Sequence, residues 1–228
     1  MSHGLEMQNV ACERSGRRLF SGLSRSVLPG QLLRVQGDNG AGKTSLLRMI
    51  CGLMEPAAGQ LLWHGERTID LKEELGRELI YLGHAAALKD DLSALENLQA
   101  ACTLAGYCVT EAQARRALMA AGLRGHEHTP VCKLSQGQRK RSALARLALG
   151  QAAPNNNAPP DSAPNMPANM PPTIPLWVLD EPFNSLDGTA TAWLVGLIKT
   201  QLQQGGLVVL TSHQIVALDE MPHQVLAL

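Results

Sequence analysis

The stretch "QLLRVQGDNGAGKTSLLRMICGL", residues 31–53, constrains the fold more than any other part of the chain. Leu32, Leu33 and Val35 make a short apolar run suited to a buried strand. Glycine-rich residues come next, and then Leu46, Leu47, Ile50 and Leu53 recur at helical spacing. Between the two, Gly37-Asp38-Asn39-Gly40-Ala41-Gly42-Lys43-Thr44 fits GxxxxGK[ST] at every fixed position. Each residue type has a physical task there. The glycines let the backbone curl until successive N–H groups point at phosphate oxygens. The helix opening near Gly42 adds its positive end. Lys43 is expected to reach the β- and γ-phosphates, and the Thr44 hydroxyl to ligate Mg2+. A chance glycine turn before a helix is the plainer reading, and the correctly placed strand and helix argue against it. The stretch predicts nucleotide binding.

The low-complexity run "QAAPNNNAPPDSAPNMPANMPPTIP", residues 151–175, has the composition of a linker between domains. The residues beyond it argue otherwise. "IPLWVLDEPFNSLDG" carries a second buried-strand candidate, residues 176–179, ending in Asp180-Glu181. Parallel α/β sheets place ligand-binding groups at this end of a strand. Asp180 is expected to hold Mg2+ through water, and Glu181 to orient the attacking water or accept its proton. Two acids after an apolar run are weak evidence alone. They become strong beside a phosphate loop, because phosphoryl transfer needs both parts. Residues 37–44 and 180–181 therefore belong to one site, and residues 1–228 to one domain. Residues 151–175 then read as a disordered surface insertion, since lengthening a flexible loop costs only ~0.6 kcal/mol per doubling.

"KLSQGQRKRSALARLAL" separates this chain from other phosphate-loop proteins. On the residues alone, Ser135 is a good N-cap for a helix whose free N–H groups face an anion, or merely a capped surface helix. Leu134-Ser135-Gln136-Gly137-Gln138 resembles the LSGGQ signature of the ATP-binding cassette (ABC) ATPases. "NSLD", Asn184 to Asp187, resembles their D-loop, and "TSHQ" after "LVVL" their switch histidine, His213. The resemblance covers nearly the whole chain, with the motifs in order. It implies an α/β phosphate-loop NTPase with a RecA-like core, an N-terminal antiparallel β subdomain and an inserted helical subdomain at about residues 85–150. It also implies an ATPase that uses ATP and Mg2+ and forms a head-to-tail homodimer around two ATP molecules. In such a dimer Ser135, Gly137, Gln138 and Asp187 serve the nucleotide held by the other subunit. By the same resemblance His213 contacts the γ-phosphate and helps fix the transition state.

Three positions depart from the common pattern. Gln136 replaces a glycine of the signature, with Ser135 and Gly137 retained. Arg14 falls near the place of the aromatic residue that stacks on adenine; a guanidinium can also stack, or simply be solvated. His84 stands at the Q-loop glutamine, where it can face the metal or its water, or remain a neutral structural histidine. "CERSGRRLFSGLS", "YLGH" and "LSALENL" together resemble the ATP-binding subunits of bacterial heme exporters of cytochrome c maturation. That implies a peripheral protein on the cytoplasmic face of the inner membrane, docked on polytopic permease subunits. Nothing in the chain's own chemistry shows heme. The "HEH" at His126 to His128 reads as a solvated loop, so no direct heme ligand is expected.

The coarse organisation agrees. A mixed N-terminal sheet is expected over residues 5–36, strands at 59–63 and 79–82, and helices across 91–149. "TATAWLVGLIKTQLQQ" reads as a helix and "LVVLTSH" as a buried strand. The formal net charge of +0 gives no support for a nucleic-acid partner. Five scattered cysteines without a CxxC pair point away from a disulfide or zinc framework and toward a reducing compartment. No apolar run nears the ~20 residues that span a bilayer. Another small exporter, or a cassette acting on ribosomes or DNA, remains the alternative; the latter usually has coiled-coil insertions or two cassettes per chain. A guanine-reading NKxD is absent from the sequence, which excludes a regulatory GTPase.

Overall fold

The computed structural model describes residues 4–149, 174–212, 218 and 221–228. The chain divides into two compact units. The first takes in Met1–His84, Pro175–Pro182 and Gln201–Leu228, and the second Ala85–Ile174 and Phe183–Thr200.

The first unit holds both sheets. Strands β1 (Leu5–Arg14) and β2 (Arg17–Val27) form a hairpin closed by Ser15 and Gly16, both at positive φ. Two such residues make the primed turn whose twist suits a hairpin. With β4 (Ala58–Trp63) and β5 (Glu66–Arg67) they build an antiparallel sheet in the order β2-β1-β4-β5. Strand β3 (Leu32–Gln36) leaves this hairpin and joins a second sheet, so residues 5–36 do not form one mixed sheet. The second sheet runs β6-β7-β8-β3-β9, using β6 (Leu79–Leu82), β7 (Leu176–Leu179), β8 (Leu207–Thr211) and β9 (His223–Ala227). Every neighbouring pair in it is parallel.

Helix α1 (Lys43–Ile50) comes after the phosphate loop, and the short α2 (Lys72–Glu78) precedes β6. Leu46, Leu47, Met49 and Ile50 of α1 enter one core with Leu5 and Met7 of β1, Val35 of β3 and Val178 of β7. Burying the four α1 side chains stabilises by on the order of 6–12 kcal/mol. A side-chain N-cap adds only ~1 kcal/mol, so α1 can do without one, and Gly42 supplies none. The helix stops earlier than the leucine spacing suggests. The N–H of Leu53 donates back to the Arg48 carbonyl at 2.8 Å, closing the turn and leaving Leu53 65% exposed.

The second unit is helical: α3 (Ala94–Leu104), α4 (Glu111–Ala120), α5 (Gln136–Leu144) and most of α6 (Gly188–Gln203). Three of these helices begin with the same device. Ser93 with Glu96, Thr110 with Gln113, and Ser135 with Gln138 each form a reciprocal capping box. Hydrogen bonds from the Ser93 backbone and then its hydroxyl hold the Glu96 carboxyl below its usual range. Leu95 and Leu98 of α3 are buried, as are Ala114, Ala117 and Leu118 of α4. Cys102 is buried as well, and burial pushes its thiol up to about 11. The region predicted to be helical, 91–149, is helical, with a 3-10 turn at Val131–Lys133 and another at Ala145–Ala148.

Candidate functional site

Because the second sheet is parallel, β3, β6, β7 and β8 all end at the same edge. The phosphate loop leaves β3 there, Asp180 and Glu181 leave β7, and Thr211 closes β8. Register fixes the order: Val35 lies beside Thr211, Leu210 beside Leu179, and Leu179 beside Leu82.

A chain of hydrogen bonds joins these ends. The Thr44 hydroxyl donates to Asp180 Oδ2 at 2.7 Å. The Thr211 hydroxyl donates to Asp180 Oδ1 at 2.8 Å and accepts the Glu181 N–H at 2.8 Å. Asp180 and Glu181 are both buried, and Glu181 has a φ of 48°, a left-handed backbone that a glutamate rarely adopts. Lys43 Nζ donates to the carbonyls of Gly37 at 2.7 Å and Asp38 at 3.1 Å, so its ammonium arches over the loop. Tyr81 on β6 stays a neutral phenol. Burial raises its pKa first; a hydrogen bond with Arg48 of α1 opposes this, and the charge of Asp180 adds to it.

The residues present fit a magnesium nucleotide. Mg2+ takes oxygen ligands and is commonly held by one or two carboxylates together with substrate phosphates. Thr44 and Asp180 bring a hydroxyl and a carboxylate within 2.7 Å of each other at the start of α1. Among the described residues no group of three or more His, Cys, Asp or Glu side chains could hold a metal ion. The phosphate side fits equally. Gly42, the N-cap of α1, has a φ of 104° and no side-chain cap. A Cβ there would lie 2.9 Å from the Phe20 ring, so this turn closes only around glycine.

The signature residues lie in the second unit and are organised locally. Ser135 Oγ accepts the Gln138 N–H at 3.2 Å, and Gln138 Oε1 accepts the Ser135 N–H at 2.9 Å. A Cβ on Gly137 would lie 2.9 Å from the Ser185 carbonyl, so glycine is what lets the 183–187 turn approach α5. Arg141 Nη1 donates to Asp187 Oδ2 at 3.0 Å, and Asp187 Oδ1 accepts the Ala190 N–H at 2.8 Å, capping α6. Asp187 thus ties the start of α6 to the signature helix.

The ABC transporter family pattern matches residues 20–153. The cytochrome c biogenesis ATP-binding export protein CcmA of Dechloromonas aromatica is 44% identical over 212 residues, covering 93% of each chain. The protein of the same name from Pseudomonas aeruginosa is 43% identical over 214 residues, covering 94% of this chain and 95% of its own. The chain belongs to the CcmA family of ABC transporter proteins. A dimeric structure of a bacterial ABC transporter cassette, MJ0796, has a TM-score of 0.76 at 20% identity, covering 98% of this chain and 94% of that one. The CcmA-family chain therefore has the ABC cassette fold, with its antiparallel and parallel sheets and its helical unit.

In this CcmA-family chain the structure brings Gly37, Asp38, Asn39, Gly40, Ala41, Gly42, Lys43 and Thr44 into one loop and helix start. It places Asp180 and Glu181 at the same sheet edge. His84 lies two residues beyond Leu82, the end of β6, whose carbonyl accepts the Asp180 N–H at 2.8 Å, and it is exposed. Arg14 ends β1 at the hairpin tip opposite Arg17, also exposed. His213 lies outside the described residues, as do residues 151–173 of the low-complexity run. His128 stands 4.0 Å from Glu111 in the turn after α4. Sequence reasoning missed Thr211, whose hydroxyl bonds to both acidic positions. The only signal was a polar residue closing an otherwise apolar run, "LVVLT".

Proposed function

We propose that the chain is the ATP-hydrolysing subunit of an ABC transporter complex that powers heme export, or release of a heme chaperone, in c-type cytochrome maturation. One observation carries the catalytic part: a phosphate-loop hydroxyl, an acidic strand end and a second strand end meet in a single hydrogen-bonded chain through Asp180. The relatives' printed name, cytochrome c biogenesis ATP-binding export protein, supports an export role in cytochrome c biogenesis. It also disfavours a cassette acting on ribosomes or DNA.

In this reading the loop from Gly37 to Thr44 binds the phosphates through its backbone, and Lys43 moves from the loop carbonyls to the β- and γ-phosphates. Mg2+, when bound, neutralises phosphate charge in the transition state. Thr44 would ligate it and Asp180 would hold it through water, with His84, in the Q-loop place, facing it or its water. Glu181 orients the attacking water or takes its proton, and His213 contacts the γ-phosphate. Arg14, exposed at the hairpin tip, is the candidate to stack on adenine, with a solvated arginine the alternative. Ser135, Gly137 and Gln138 serve the nucleotide bound by a second copy, and Asp187 lies in the D-loop beside them. The two compact units then work as one ATPase domain carrying the 151–175 insertion.

The active form is a homodimer closed around two ATP molecules, and the solved dimer of a related cassette supports this. No helix among the described residues is long and apolar enough to cross a membrane. In the proposed complex, membrane coupling falls to polytopic permease subunits, with this protein peripheral on the cytoplasmic face of the inner membrane. No nucleic-acid partner and no heme ligand on this chain are part of the reading.

The test is phosphate release by the purified protein with and without its co-purifying permease, read beside heme loading of the acceptor. Hydrolysis that rises with the permease and tracks heme loading is expected. Co-purification with ribosomes or DNA instead of a membrane protein would sink the transport reading.

A further inference from the structure

We infer that Thr211 is a positioning residue for hydrolysis: its hydroxyl sets the orientation of the Asp180 carboxylate and the backbone of Glu181 at the same time. The inference rests on the proposed ATPase activity and adds a residue to it.

Every other residue of β8 is apolar, and Thr211 is 0% exposed. A valine has nearly the same shape and would suit that burial without bringing in a polar atom. The hydroxyl therefore calls for a reason, and its two bonds supply one. A hydroxyl has a single proton to give. The Glu181 N–H can only donate, so it takes an acceptor lone pair of Oγ1, and the hydroxyl proton goes to Asp180 Oδ1. The direction of the relay is fixed, and bonds in series polarise one another.

The relay acts on both acidic residues. With Oδ1 held by Thr211, Asp180 cannot rotate freely, and Oδ2 is presented to Thr44, its expected companion as a metal ligand. The bond to the Glu181 N–H also secures a left-handed backbone, φ 48°, that glutamate does not favour by itself. One side chain thus aims the metal-holding carboxylate and the residue that handles the attacking water.

The test compares Thr211→Val, which keeps the shape, with Thr211→Ser, which keeps the hydroxyl. In Thr211→Val the Mg2+ concentration for half-maximal phosphate release should rise, or kcat fall, by about 10–100-fold, the usual effect of removing an outer-shell partner. Binding of a fluorescent ATP analogue in EDTA should not change, and Thr211→Ser should restore the Mg2+ dependence. Hydrogen exchange at the Glu181 amide, measured without nucleotide, should quicken in Thr211→Val and recover in Thr211→Ser. A Thr211→Val protein with wild-type Mg2+ dependence, kcat and amide protection overturns the inference. So does a Thr211→Ser protein as impaired as Thr211→Val, because methyl packing would then explain the residue. If the wild-type protein hydrolyses no ATP, the ATPase reading fails on that result, and amide exchange alone decides whether Thr211 positions Glu181.

Discussion

Helices α1 and α5 both open at predicted phosphate-contact sites, yet they are started in opposite ways. The N-cap of α1 is Gly42, which offers no side chain, whereas that of α5 is Ser135, locked to Gln138 in a reciprocal box. Burial explains the difference. Five of the eight residues of α1 are buried, against Ser142 and Leu144 alone in α5. A helix anchored by its apolar face can leave its first N–H groups open to a ligand. A helix with little burial depends on its cap. Partner distance differs too: Thr44 bonds to a residue 136 positions away, while Ser135 bonds to one three positions away. The first helix start is tied to the sheet, and the second is capped within one turn.

Substitution at the two cap positions should separate these designs. Gly42→Ala has the larger expected effect, because the new methyl meets Phe20 and the backbone sits at φ 104°. Such strain costs ~1–3 kcal/mol, and a loop that relaxes out of its phosphate-binding shape to relieve it loses about fivefold to 150-fold in nucleotide affinity. Fluorescent-nucleotide titration measures it, and unchanged affinity would show that the α1 start is not the phosphate site. Ser135→Ala should be milder, lowering stability by ~1 kcal/mol through the lost cap. Nucleotide binding to the isolated chain should remain, while turnover should fall if, as proposed, it needs the signature of a second copy. If Ser135→Ala instead abolished binding to the isolated chain, the contrast between the two helix starts would collapse.

Legibility in the sequence divides along the same line. The phosphate loop and the strands at 79–82 and 176–179 were legible because short apolar runs ended in residues with one obvious task. The Ser135 cap was legible because its partner lies only three residues away. Long-range relations were not. Apolar continuity could not show that β3 quits the N-terminal hairpin for the parallel sheet. Strand β9 buries only Leu226, so its sequence lacks a strand pattern. Helix α2 begins without a side-chain cap and includes Gly76, which hides it. In the sequence Thr211 is only the first residue of "TSHQ" and shows no task of its own, because its partners stand 31 and 30 positions earlier and meet it only through the β7–β8 pairing.

The most direct test of the central claim is the Glu181→Gln protein, assayed for bound ATP, oligomeric state and phosphate release in Mg2+. Removing a general base costs about 10²–10⁴-fold in rate. The variant should therefore bind ATP, accumulate as a closed dimer and release almost no phosphate. A Glu181→Gln protein that hydrolyses ATP at the wild-type rate would contradict the account.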